Sequence, residues 1–177
     1  MADKTWKRIE RQVASLLGGE RVPVTGRQRG SAPDIKHPLL SLEVKHRKRL
    51  SVGSLLRMME AAELLDVKVL RLHSKISGRS FCLTGLDTFC ETINRSDRYL
   101  FDFTGISVVV DEFPTSVLEA YDQAEKSADY ILETEQIRKY PCMIFHQERM
   151  KVEDSLVIMP IRDYQNFILE CNNGKDA

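Results

Sequence analysis

Apolar residues first recur at helical spacing: Trp6, Ile9, Val13, Leu16 and Leu17 form one stripe, and Gly18-Gly19 ends the run. The pattern predicts an opening helix. Glu10 stands four residues after Trp6 and three before Val13, so it lies in or beside that stripe. A carboxylate there either reaches solvent or is paired or bound to a cation, because burying it alone is costly. The period then shifts to two. Arg21 to Thr25 reads as a short strand and Gly26 to Ala32 as a Gly/Ser/Arg-rich loop. Asp34-Ile35 begins a second extended piece, Lys36-His37-Pro38 turns the chain, and Leu39 to Lys45 is a strand. Along that strand Leu40, Leu42 and Val44 point one way, and Ser41, Glu43 and Lys45 the other. Glu43 and Lys45 therefore share a face, and the hairpin-like return brings Asp34 toward them.

Further along, Ser51 or Ser54 suits the cap of a helix carrying Leu55, Met58, Met59, Ala62 and Leu65. Strands are expected at Val67 to Leu72 and near Phe81 to Leu83, with a Ser77-Gly78 turn between them. A helix with Leu86, Phe89, Cys90 and Ile93 follows. Tyr99 to Phe103 and Ile106 to Val110 read as extended. Pro114 suits the first turn of a long helix with Val117, Leu118, Tyr121, Ala124, Ala128 and Ile131 inward. Strands at Cys142 to His146 and Leu156 to Met159 and a final helix with Ile161, Tyr164 and Ile168 complete an α/β pattern. There is a loose internal echo. "SLLRMMEAAELL" and the segments after it repeat the element order of "SVLEAYDQAEKS" and its sequel: helix, strand ending in His, hairpin, strand, helix. A duplication and ordinary α/β patterning both account for it. No Pro/Gly/Ser-rich linker divides the chain, so residues 1–177 are expected to form one domain.

Composition narrows the setting. A hydrophobic fraction of 42% and a charged fraction of 29% are those of a soluble globular chain. No apolar run approaches the roughly 20 residues of a membrane span, and the polar N-terminus has no signal-peptide core. Cys82, Cys90, Cys142 and Cys171 are scattered, which points to a reduced, intracellular setting rather than to disulfides or zinc. His37, His46, His73 and His146 lack metal-ligand spacing. The net charge is zero, but it is unevenly spread. Cations dominate up to residue 50, whereas residues 111 to 135 hold eight acidic residues against Lys126. A chain so divided can present a positive face to a polyanion, and two solvated faces of opposite sign would look the same.

Two carboxylates brought together repel unless a proton or cation lies between them. Oxygens from Asp34 and Glu43, with the Val44 carbonyl, suit a hard ion. Mg²⁺ fits because it accepts few protein oxygens and leaves room for waters and phosphate. Lys45, on the same face, is placed to orient an attacking water or to stabilise charge developing on phosphorus. Glu10 adds a carboxylate from the first helix, directly or through water.

"PDI" at Pro33 to Ile35 followed by "LEVK" at Leu42 to Lys45 resembles the PD-(D/E)xK nuclease motif. Within that superfamily the first 50 residues are similar to small Holliday-junction resolvases of the archaeal and phage type. The helix Glu is matched by Glu10, the flexible loop by "GRQRGSAPD" and the basic flank by "HRKR". The resemblance implies a restriction-endonuclease-like αβββαβ core with a mixed central sheet flanked by helices. It implies Mg²⁺ dependence, with Mn²⁺ as a substitute, and in-line phosphodiester hydrolysis by a homodimer. Asp34, Glu43, Val44 and Glu10 would hold the metal, and Glu10, Asp34, Glu43 and Lys45 would be catalytic. Arg27, Arg29, Ser31, His46, Arg47, Lys48 and Arg49 would face DNA. Two stretches compete for the helix expected after the motif, Ser54 to Leu65 and Pro114 to Ile131. The second holds Gln123, a residue type that is a common accessory there in the superfamily. Were it the core helix, residues of about 52–112 would be an α/β insertion. The leading expectation is a metal-dependent endonuclease for branched DNA. A restriction-like or repair nuclease for linear duplex, and a silent DNA-binding module of the same fold, are the alternatives.

Overall fold

The opening stripe folds as helix α1 (Thr5–Leu17), which buries Ile9, Glu10, Val13, Ala14 and Leu17 but leaves Leu16 at its margin, 39% exposed. The structure is a computed structural model and describes residues 5–23, 32–47, 51–64, 68–94 and 107–173. Gly18 ends α1 in a left-handed conformation (φ 70°). Gly19 is required for a different reason. A Cβ there would stand 2.8 Å from the Lys36 carbonyl oxygen and 2.9 Å from Ile35 Cγ2. The bare backbone lets the end of α1 rest directly on the next strands.

Those strands are β1 (Glu20–Arg21), β2 (Ile35–Lys36) and β3 (Leu40–Arg47), an antiparallel set in which Arg21 faces Ile35 and Ile35 faces Leu42. The strand expected from Arg21 to Thr25 is thus shorter and earlier, and Val24 and Thr25 lie outside the described residues. Next come α2 (Gly53–Glu63), β4 (Val69–Ser74), β5 (Ser80–Gly85), α3 (Leu86–Asn94) and β6 (Ser107–Val110). The chain ends with α4 (Thr115–Glu135), β7 (Tyr140–Gln147), β8 (Leu156–Pro160) and α5 (Ile161–Asn173). The serine cap expected on α2 does not form. Val52 takes the N-cap without a side-chain bond, and the Ser51 hydroxyl lies 2.5 Å from that of Ser116. Pro114 occupies the N-cap of α4, one place ahead of the expected first turn. The extended piece expected at Tyr99 to Phe103 lies outside the described residues.

The strands join in one mixed sheet of order β1-β2-β3-β7-β8-β5-β4-β6, so the fold is α/β with helices on both faces. β3 runs parallel to β7 and β4 parallel to β6, and the other neighbours are antiparallel. Each face has its own core. Leu40, Leu42, Val44 and Ile144 pack with α1, α3 and α5, while Leu83, Met143, Phe145 and Ile158 pack with α2 and α4. Of the two helices that competed to follow the third strand, α4 packs on β3 and β7. Residues 52–112 build α2, β4, β5, α3 and β6, the far half of the same sheet.

The internal echo has a geometric counterpart. β5 and β8 pair antiparallel with Leu83 opposite Ile158, Cys82 opposite Met159 and Thr84 opposite Val157. A two-fold axis through the Leu83–Ile158 pair exchanges β5 with β8, β4 with β7 and β6 with β3, and reproduces every strand neighbour from β3 to β6. It also exchanges α2 with α4 on one face and α3 with α5 on the other. Phe89 and Tyr164, one from each short helix, meet with centroids 6.1 Å apart. Both halves repeat one polar detail: His73 Nδ1 lies 2.6 Å from Ser80 Oγ, and His146 Nδ1 lies 3.0 Å from Ser155 Oγ. The two halves thus share strand order, register and this His–Ser contact. Among the described residues, only the half with β3 carries elements such as α1, β1 and β2.

Candidate active site

β3 outruns its neighbour. Its first half pairs with β2, and from Val44 onward that side has no strand among the described residues. A backbone N–H at such an edge needs an acceptor. For Val44 it is the side chain of Asp34, whose Oδ2 accepts at 2.8 Å. Asp34 is held in turn by its own N–H to the Leu42 carbonyl and by its carbonyl accepting from Val22 N–H, each at 2.9 Å. The hairpin register thus sets Asp34 across from Glu43.

Glu43 and Lys45 lie on the sheet face turned toward α4, as alternation required, and their side chains meet with Lys45 Nζ 2.5 Å from Glu43 Oε1. Glu10 approaches from α1 and accepts from Arg21 Nε at 2.6 Å. The Arg21 guanidinium lies over the Trp6 ring at 5.3 Å. Arg21 is the site residue that sequence reasoning passed over. Its signal was its place on the strand beside the Asp34 strand, on the side turned toward the first helix. Glu10, Asp34 and Glu43 are 5%, 3% and 7% exposed, so three buried carboxylates are balanced by Arg21 and Lys45 close at hand.

These groups converge on a cavity of about 380 Å³ lined by Trp6, Glu10, Asp34, Glu43, Val44, Lys45, His46 and Arg47. Seven of the sequence-predicted residues come together there: Glu10, Asp34, Glu43, Val44, Lys45, His46 and Arg47. Gln123 does not join them; it is half-buried on α4 and is not part of this lining. Arg27, Arg29, Ser31, Lys48 and Arg49 lie outside the described residues. Among the described residues no group of three or more His, Cys, Asp or Glu side chains forms a ready metal shell. Magnesium asks for less, since one or two carboxylates with waters and substrate phosphate complete its sphere. Asp34 and Glu43 meet that requirement by donor chemistry, while Glu10 has a guanidinium as its near partner.

Two histidines frame the site. His46 faces His146 across the β3–β7 ladder, and the rings stack at 5.3 Å. The Ser155 hydroxyl donates to the Val152 carbonyl at 2.6 Å, so His146 Nδ1–H is the donor in its own bond to Ser155. Burial, then His46 and Arg8, lower the His146 pKa to about 4. His37 builds the turn into β3, its Nδ1 accepting from Leu39 and Leu40 N–H at 3.1 Å each. Burial and then Lys139, which donates to the His37 carbonyl, lower its pKa to about 4. The turn that aims Asp34 and Glu43 therefore needs a neutral ring.

Among the described residues no helix is long and apolar enough to cross a membrane. Comparisons with family models, curated proteins and solved structures returned no match for this chain.

Proposed function

We propose that this protein is a divalent-metal-dependent endonuclease that hydrolyses DNA phosphodiester bonds, with branched four-way DNA as its substrate. The observation that carries the reading is the buried cross-strand arrangement of Asp34 and Glu43 about the Val44 N–H, with Lys45 on Glu43. The reading is supported by the element order: with residues 52–112 taken as an insertion, α1, β1, β2, β3, α4 and β7 run α-β-β-β-α-β, the order expected of a PD-(D/E)xK core. A bound Mg²⁺, or Mn²⁺ in its place, supplies Lewis-acid polarisation of a phosphoryl oxygen. Asp34 and Glu43 would hold that ion, and the Val44 backbone N–H fixes the Asp34 carboxylate. Lys45 orients the attacking water and offsets negative charge as it develops on phosphorus. Glu10, kept in place by Arg21, adds negative potential at the cavity wall. Arg47 meets the phosphate backbone, and the cations clustered up to residue 50 extend that contact, so binding weakens as salt rises.

One assay tests this. A four-way junction, a linear duplex and single-stranded DNA are each incubated with Mg²⁺, with Mn²⁺ and with EDTA. The expected result is cutting of the junction with either metal and none with EDTA. Cutting confined to linear duplex would move the substrate to unbranched DNA. Binding without cutting in both metals would reduce the protein to a DNA-binding module.

A further inference from the structure

An αβββαβ core extended only by β8 and α5 would leave β8 as the last strand of its sheet. An edge of that kind, with Val157, Ile158 and Met159 in sequence, is ordinarily closed by another strand. Two subunits would close it by pairing their β8 strands about a two-fold axis, each presenting the same patch. In this chain β5 occupies that place, antiparallel to β8, about an internal two-fold through Leu83 and Ile158. Phe89 and Tyr164 meet across the axis as the same position of two subunits would. The match stops at the chemistry. The strand symmetry-related to β3 is β6, where Ser107 and Val108 stand in the places of Val44 and Lys45. β6 reads SVVV and carries neither carboxylate nor amine.

We infer that residues 52–112 act as a built-in second subunit in which Val108 takes the place of Lys45, so that the protein works as a monomer with one working site that nicks one DNA strand per encounter. This rests on the nuclease reading and departs from the two-subunit arrangement that the resemblance implied. Each turnover adds one water across one bond: the water oxygen joins phosphorus, the phosphorus–sugar oxygen bond breaks, and the departing oxygen takes a proton. A second strand requires a second encounter.

The test has two arms. Sedimentation equilibrium of the full chain, with and without an uncleaved junction, is expected to give one chain of 20.3 kDa per particle. The cutting arm uses a junction in excess, labelled on both opposing strands, with Mg²⁺. Products nicked in one strand are expected to accumulate first. Adding an equal amount of Asp34→Asn protein leaves the wild-type rate unchanged if the chain acts alone, whereas random pairing in an obligate dimer reduces paired cuts to about half. A dimer at the cutting concentration, or paired cuts within one binding lifetime, overturns the inference. A chain that cuts nothing removes the nuclease reading, and the sedimentation arm still decides whether the second half stands in for a subunit.

Discussion

At the level of single side chains the site is a set of exchanges, in which each carboxylate has a named partner that another residue type would not replace. Asp34 accepts from Val44 N–H and offers charge to a cation, and asparagine keeps the first role and loses the second. Asp34→Asn is therefore expected to lower the cutting rate by about 100-fold or more while leaving the junction Kd within about two-fold, as gel shift and single-turnover assays would show. Retained cutting would place the metal elsewhere. Arg21 acts one step back. Arg21→Gln removes the guanidinium from Glu10 and from the Trp6 face, and a loss of about 2 kcal/mol is expected in urea unfolding. A variant as stable as wild type would mean that Glu10 is held by other groups.

At the level of elements, the geometry depends on how closely α1 seats against the sheet. Gly19→Ala forces a Cβ against the backbone of β2, with no flexible side chain to yield, and an expected cost of about 1–3 kcal/mol should appear as a lower melting temperature. Cutting should fall further than stability explains, because Asp34 is the residue immediately before β2 and moves with it. An unchanged Tm would show that β2 shifts freely. The same elements show what the chain revealed before folding. Period-two alternation placed Leu40, Leu42 and Val44 inward and joined Glu43 to Lys45, because both facts are local. The hairpin brought Asp34 near for the same reason. Arg21 stayed hidden because its tie to Glu10 joins a helix to a strand through packing, which no period records. So did the His46–His146 stack, which arises from a parallel ladder between distant segments. The repeat showed only as a loose echo because core exchanges such as Leu83 for Ile158 and Phe89 for Tyr164 preserve shape and not identity.

For the molecule as a whole, acid is the condition that exposes the fold's dependence on neutral rings. His37 and His146 have folded pKa values near 4, below the ordinary 6.5, so the unfolded chain takes up these protons first. Stability from these two groups is fully present above about pH 6.5 and is lost as pH falls toward 4. Thermal melts across that range should show a falling Tm. His37→Asn should flatten the slope, since an amide oxygen can accept from Leu39 and Leu40 without titrating. A flat wild-type profile would count against the assignment. The β3–β7 ladder sets a different condition, one of time. Leu40 pairs with Tyr140 and Arg47 with Gln147, so the strand bearing Glu43 and Lys45 is made a hundred residues before its partner. At ordinary synthesis speeds that wait is on the order of ten seconds. Through it the ribosome-bound chain holds every residue of the site and has no finished sheet to mount them on. A product released early, short of β7, would be chemically complete and inert, and its apolar strand would be left for chaperones to cover.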